Sequence, residues 1–105
     1  MNQIKLINGD ALNIIPKLDE TYDLVFIDAN KDDYPEYYRL VFDKVSSGGY
    51  ILADNVLWGG KVLDDHTFDP TTNTIRRFNQ MITEDQRVEN LILPVRDGIM
   101  VIKKL

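Results

Sequence analysis

The residues able to do chemistry stand where apolar runs stop. Tyr22-Asp23-Leu24-Val25-Phe26-Ile27 runs into Asp28, and Tyr50-Ile51-Leu52-Ala53 runs into Asp54-Asn55. An earlier run, Ile4–Ile7, stops at Asn8-Gly9-Asp10. In an open α/β sheet, ligands bind beyond the carboxyl ends of the strands. If the second and third of these runs are neighbouring strands, Asp28 and Asp54 lie roughly 5 Å apart in the backbone. Two carboxylates and the amide oxygen of Asn55 suit a hard cation such as Mg²⁺ or Ca²⁺, with water or substrate oxygens completing its shell. Aspartates at strand ends also cap the helices that follow, so spacing alone leaves both readings open.

Lys31 follows Asp28 by three residues, on the way into a helix. A lysine beside a cation and a buried pocket can have its pKa lowered and act as a base; the alternative is an exposed loop lysine. Trp58 lies in a Gly-rich stretch just past Asn55 and either walls a substrate pocket or packs. His66 has no second His or Cys at ligand spacing and reads as a solvated loop residue. Tyr34, Tyr37 and Tyr38 follow helical spacing and read as core or its edge.

The elements that must position these groups follow from the apolar period. Asp10 caps a brief helix from Ala11, shortened or bent at Pro16. Leu24 to Ile27 are continuously apolar, the pattern of a central strand covered on both faces. A helix over 34–45 starts with Pro35 in its first turn and ends at Ser46-Ser47-Gly48-Gly49. Asp69 and Pro70 cap and open a helix running to about Asp85, with Ile75, Phe78 and Ile82 on one face. Strands over 89–95 and 99–103 close the chain, joined by a turn at Arg96-Asp97-Gly98. The order is β-α-β-α-β-loop-α-β-β, an α/β fold with crossover helices, a parallel sheet and one antiparallel hairpin.

Composition narrows the function classes. The chain has 105 residues, room for one domain. Twelve Lys and Arg stand against 17 Asp and Glu, a net charge of −5. That balance argues against a nucleic-acid partner, whose phosphates need concentrated Lys and Arg. Without cysteine there is no disulfide scaffold and no thiolate zinc site. Met1 to Lys5 resemble neither a leader nor a membrane span, so the expected location is the cytoplasm, away from membranes.

Taken together, these stretches resemble S-adenosylmethionine-dependent O-methyltransferases of the catechol and caffeoyl-CoA type. The resemblance rests on Asn8-Gly9-Asp10-Ala11, on Phe26 through Tyr34, on Gly48-Gly49, and above all on Asp54-Asn55-Val56-Leu57-Trp58-Gly59-Gly60-Lys61-Val62. It continues through Ile75-Arg76-Arg77-Phe78-Asn79 to Leu93 through Gly98. It implies that Asp28, Asp54 and Asn55 are ligands of a divalent cation (Mg, Ca or Mn). It implies that Lys31 takes the proton of the substrate hydroxyl. Asp10, Ala11 and Asp28 match positions bordering S-adenosylmethionine, and the acceptor is a phenolic, catechol-like small molecule.

The same resemblance implies a partial Rossmann-like (class I methyltransferase) three-layer sandwich. Its sheet would be mostly parallel, ending in an antiparallel hairpin, with the first half of the fold missing. Nothing before Asn8 supplies a Gly-x-Gly cofactor loop or a ribose-binding acid. Residues 1–105 therefore match the C-terminal half of such a domain, which alone is expected to be inactive. A receiver-like phosphoacceptor domain would also place an Asp at Asp28, but it needs an acidic pair and a Lys-Pro that this chain lacks. A non-catalytic interaction protein that keeps the half-fold is the other alternative. With two family strands absent, Ile4–Ile7 is expected to pair directly with Leu24–Ile27. The strand order would then be first, second, third, fifth, fourth. The alternative is a homodimer through that edge.

Overall fold

In a computed structural model of the chain, residues 3–105 are described. Met1 and Asn2, which open the stretch read above as neither leader nor span, lie outside them. Asp10 caps α1 (Ala11–Ile14), its carboxylate accepting the Leu12 N–H, and Pro16 turns the helix into a 3₁₀ turn over Ile15–Lys17. Then follow β1 (Tyr22–Ile27), a 3₁₀ turn over Lys31–Asp33, α2 (Tyr34–Phe42), β2 (Val45–Asp54), α3 (Pro70–Thr83), β3 (Val88–Leu93) and β4 (Ile99–Lys104). Asp69 caps α3 through the Thr72 N–H with Pro70 in the first turn, as the sequence predicts.

The sheet order is β1-β2-β4-β3. This is the expected order with its first strand missing, because Ile4–Ile7 forms no strand and is exposed. The direct pairing expected for that segment is therefore corrected. A four-residue ladder broken by Lys5 offers few hydrogen bonds, whereas Ala11, Leu12 and Ile15 next to it gain contact with the core. The sheet is mixed: β1 pairs with β2 in parallel, while β4 is antiparallel to both β2 and β3. Strands β1, β2 and β3 run one way, and the returning hairpin strand inserts between the last two.

Helix α2 was expected to end at Ser46–Gly49. Instead the strand begins at Val45, and these four residues bulge out of the ladder between the Tyr22–Val45 and Leu24–Tyr50 pairs. Gly48 supplies the left-handed φ of 84° that the bulge needs. A side chain at Gly49 would lie 2.9 Å from the Asp23 carbonyl oxygen.

Helices α2 and α3 pack side by side on one sheet face. Ile27, Ile51, Ala53, Met100 and Ile102 face them, and Tyr34, Tyr38 and Phe78 fill the gap edge to face. The opposite face carries Leu24, Phe26, Tyr50, Leu91 and Leu93, all exposed. The described residues thus form two layers where three were expected, because no helix among them reaches that face. No helix among them is long and apolar enough to cross a membrane.

Along β1 the outer N–H and C=O groups have no strand partner among the described residues, and Leu24 and Phe26 stand beside them. An apolar face next to an open strand edge favours pairing with a second copy. The purified 105-residue chain should sediment above its monomer mass of 12.1 kDa, and the double variant Leu24→Lys/Phe26→Lys should return it to monomer. A monomeric unsubstituted chain would contradict this.

Candidate functional site

The parallel register of β1 and β2 pairs Ile27 with Ala53, so Asp28 and Asp54 are the next residue on each strand. Both therefore stand at the carboxyl end of the sheet, side by side. Tyr34, fully buried at the start of α2, fastens the two strand ends together. Its hydroxyl donates to the Asp54 carbonyl at 2.8 Å and lies 3.3 Å from the Ile27 carbonyl. Burial raises the Tyr34 pKa, and Asp28 and Asp54 add to the rise against the opposing effect of Lys31.

Lys31 comes back over this ring. Its Nζ is 4.8 Å from the Tyr34 ring centre, 3.0 Å from the Ala29 carbonyl and 3.4 Å from Asp28 Oδ1. The lysine side chain is only 11% exposed, whereas Asp28 is 54% exposed, so the stem is packed and the carboxylate is open to a ligand. Burial pulls the Lys31 pKa down, but Tyr34 and then Asp28 outweigh it, and the net direction is up. The lowered pKa expected from sequence is thus not what the protein groups produce by themselves.

Asn55 begins an irregular segment. Asn55 (φ 62°) and Trp58 (φ 53°) are both left-handed, conformations that non-glycine residues hold only when their surroundings fix them. The fixing group is Asp97 in the β3–β4 turn, which accepts a hydrogen bond from Asn55 Nδ2 at 3.0 Å and another from the Gly59 N–H. Beyond Gly60, Arg76 of α3 gathers the next stretch. Its guanidinium donates to the carbonyls of Lys61, Val62, Asp64 and Thr67.

Asn55, Lys31 and Trp58 line one open cleft of about 480 Å³, with Ala29, Asn30, Asp32 and Thr71. Thr71 Oγ1 donates to Asp32 at 2.8 Å, closing its far wall. Ala11 and Asp28 line a second, apolar cleft of about 170 Å³ with Ile15, Phe26, Ala29 and Tyr37. The structure does not bring Asp10 into that cleft, since its carboxylate is occupied as the cap of α1. Sequence reasoning passed over Tyr34, read only as core, and Asp97, read only as a turn former. The Asp-Gly pair explains itself as a hairpin, and nothing local signals a bond to a residue 42 positions away.

These donors fit a hard cation. Among the described residues no protein donor reaches Asp28 Oδ2, Asp54 Oδ2 or Asn55 Oδ1, while Asp54 Oδ1 takes the Asn55 N–H at 2.8 Å. In kind, two carboxylate oxygens and an amide oxygen are donors that such a cation takes. No group of three or more His, Cys, Asp or Glu placed to hold a metal occurs among the described residues.

Comparison with known proteins gives the family. The family model described as O-methyltransferase matches residues 1–105. A probable caffeoyl-CoA O-methyltransferase of Dictyostelium discoideum is 43% identical over 88 residues, covering 83% of this chain and 38% of that protein. A catechol O-methyltransferase of Niastella koreensis is 38% identical over 96 residues, covering 88% of this chain and 43% of that one. The SAH-bound crystal structure of a Podospora anserina methyltransferase superposes with a TM-score of 0.87 at 32% identity, over 99% of this chain and half of the other. The chain thus spans about half or less of the length of the proteins it matches. The match also removes the receiver-like alternative, because the family model spans residues 1–105. On sequence and fold alike, the chain belongs to the O-methyltransferase family.

Proposed function

We propose that this chain is the acceptor-binding, C-terminal half of an S-adenosylmethionine-dependent O-methyltransferase acting on a phenolic, catechol-like small molecule. The observation that supports it most is that Asp28 and Asp54 directly follow paired positions of two adjacent parallel strands, with Lys31 bonded to Asp28 and with Asn55 lining the cleft walled by Trp58. Asp28, Asp54 and Asn55 would hold a divalent cation (Mg, Ca or Mn). Bound there, it would supply orientation of two adjacent substrate oxygens and a lowered hydroxyl pKa.

Beside a bound cation, which would oppose its raised pKa, Lys31 releases its own proton to solvent. The neutral amine then receives the hydroxyl proton at Nζ as the oxygen attacks the methyl carbon of the sulfonium. The carbon–sulfur bond breaks with its electron pair going to sulfur. Trp58 walls the ring of the acceptor. The apolar cleft of Ala11, Phe26, Asp28 and Tyr37 takes part of the methyl donor, with Asp10 at its border. At about 170 Å³ that cleft is smaller than a pocket for a ligand of this size, roughly 300–1,000 Å³. The remainder of the donor site belongs to the half of the relatives that this chain does not match. We place the uncovered sheet face and the β1 edge against that half.

The test uses labelled S-adenosylmethionine and catechol. The complete protein, carrying the half found in the relatives, should transfer methyl in a manner abolished by a chelator and restored by Mg²⁺. The 105-residue chain alone should not turn over. Turnover by that chain would overturn the division of labour, and a complete protein inert toward phenols would overturn the function.

A further inference from the structure

Asp97 makes more connections to the segment after β2 than a turn residue needs. Its Oδ2 accepts from Asn55 Nδ2 at 3.0 Å and its Oδ1 from the Gly59 N–H. Its own carbonyl accepts the Leu57 N–H at 2.9 Å, and the neighbouring Gly98 carbonyl lies 3.3 Å from the Val56 nitrogen. The approach is so close that a side chain at Gly98 would meet Leu57 Cγ at 2.6 Å. The hairpin is thereby locked onto residues 55–59, and those residues hold their left-handed dihedrals against it.

The consequence lies in the chemistry of the amide. A carboxylate only accepts hydrogen bonds, so the end of Asn55 that faces Asp97 has to be its NH₂. The oxygen is then turned the other way. Asn55 lines the cleft that also holds Lys31 and Trp58, and Asp97 does not. An unheld amide presents either end, and only the oxygen serves a cation. We infer that Asp97 is a positioning residue, which fixes Asn55 with its amide oxygen toward the cation position and holds the Trp58 loop in place. The inference rests on the cation-binding reading given above.

The test is Mn²⁺ binding to the 105-residue chain, read from the loss of the free-ion electron paramagnetic resonance signal. Asp97→Asn keeps the volume and one acceptor for Gly59. It offers an NH₂ to Asn55, so the amide oxygen of Asn55 turns inward. Binding should weaken by about 10-fold or more, the usual scale for groups that orient a metal ligand. In an Asn55→Ala background the same change should have no further effect, because Asp97 then has nothing to orient.

A mere charge effect would persist in that background and fade at about 0.5 M salt, where screening is nearly complete. Either behaviour overturns the inference, as does equal Mn²⁺ affinity in Asp97→Asn. No Mn²⁺ binding by the unsubstituted chain overturns the cation reading itself, and the inference with it. If a variant does not fold, the Asn55 side-chain amide of the unsubstituted chain decides. Slow hydrogen exchange supports the bond to Asp97, and exchange at the rate of a free amide overturns it.

Discussion

Lys31→Ala should slow methyl transfer by the complete enzyme about 10²- to 10⁴-fold, the range that a positioned acid–base group contributes, while the acceptor KM changes only a few-fold. The asymmetry follows from where the lysine sits. Its Nζ lies over the Tyr34 ring, held between Asp28 and the Ala29 carbonyl, so it lines the cleft as one of several residues and its loss removes the proton acceptor more than the binding surface. An interaction made mainly in the transition state lowers kcat and kcat/KM together.

Lys31→Arg separates two roles. A guanidinium keeps the charge and cannot be deprotonated, so it restores a purely electrostatic function but not proton acceptance. Failure of arginine to restore the rate is the result expected here. An unchanged rate in Lys31→Ala would return Lys31 to the class of surface lysines that happen to pair with a carboxylate, a contact of small energy.

What the sequence disclosed and what it hid have physical causes. Asp28, Asp54 and Asn55 were legible because strand ends are marked by a change from apolar to polar, and two such ends in adjacent parallel strands share a corner. The cap at Asp69 and the apolar stripe of Ile75, Phe78 and Ile82 were legible because both signals are local. Leu24–Ile27 was read as covered on both faces. It is covered on one, with Leu24 59% and Phe26 54% exposed. A run of apolar residues shows that a strand can be covered on both faces and does not show what covers it.

Other features were hidden for different reasons. Ser46–Gly49 looked like a helix end because its residues are turn formers, and the same residues make a bulge when Val45 can pair with Tyr22. The part played by Tyr34 was hidden because spacing gives burial but not the partner of a hydroxyl. Arg76 was quoted only as part of a motif, since four backbone carbonyls converging on one guanidinium leave no trace in spacing.

The site also depends on a residue that touches no ligand. Phe78 of α3 is fully buried, and its ring lies edge to face with Tyr34 at 5.3 Å and with Tyr38 at 6.3 Å between centres. Phe78→Ala should lower the unfolding free energy by about 3–5 kcal/mol, through lost transfer energy and the cavity left behind. Each aromatic pair contributes about 0.5–1.5 kcal/mol beyond burial, so the loss should fall toward the upper end of that range. Domains are stable by only about 5–15 kcal/mol, and a short chain with one bare sheet face belongs at the lower end. Most of the margin is therefore removed.

Urea unfolding is the measurement, made in the Leu24→Lys/Phe26→Lys background, because self-association would make the transition concentration-dependent. A loss below about 1 kcal/mol would mean that the core closes over the gap, as a site able to collapse does. Tyr34→Phe is the companion variant. It keeps the ring against Phe78 and removes only the hydroxyl that joins the ends of β1 and β2. Its cost should be smaller, about 1–3 kcal/mol for leaving the Asp54 carbonyl without its partner, but it should loosen the corner where Asp28 and Asp54 meet. Phe78→Ala should then weaken Mn²⁺ binding only as far as it unfolds the chain, whereas Tyr34→Phe should weaken it in a chain that remains folded.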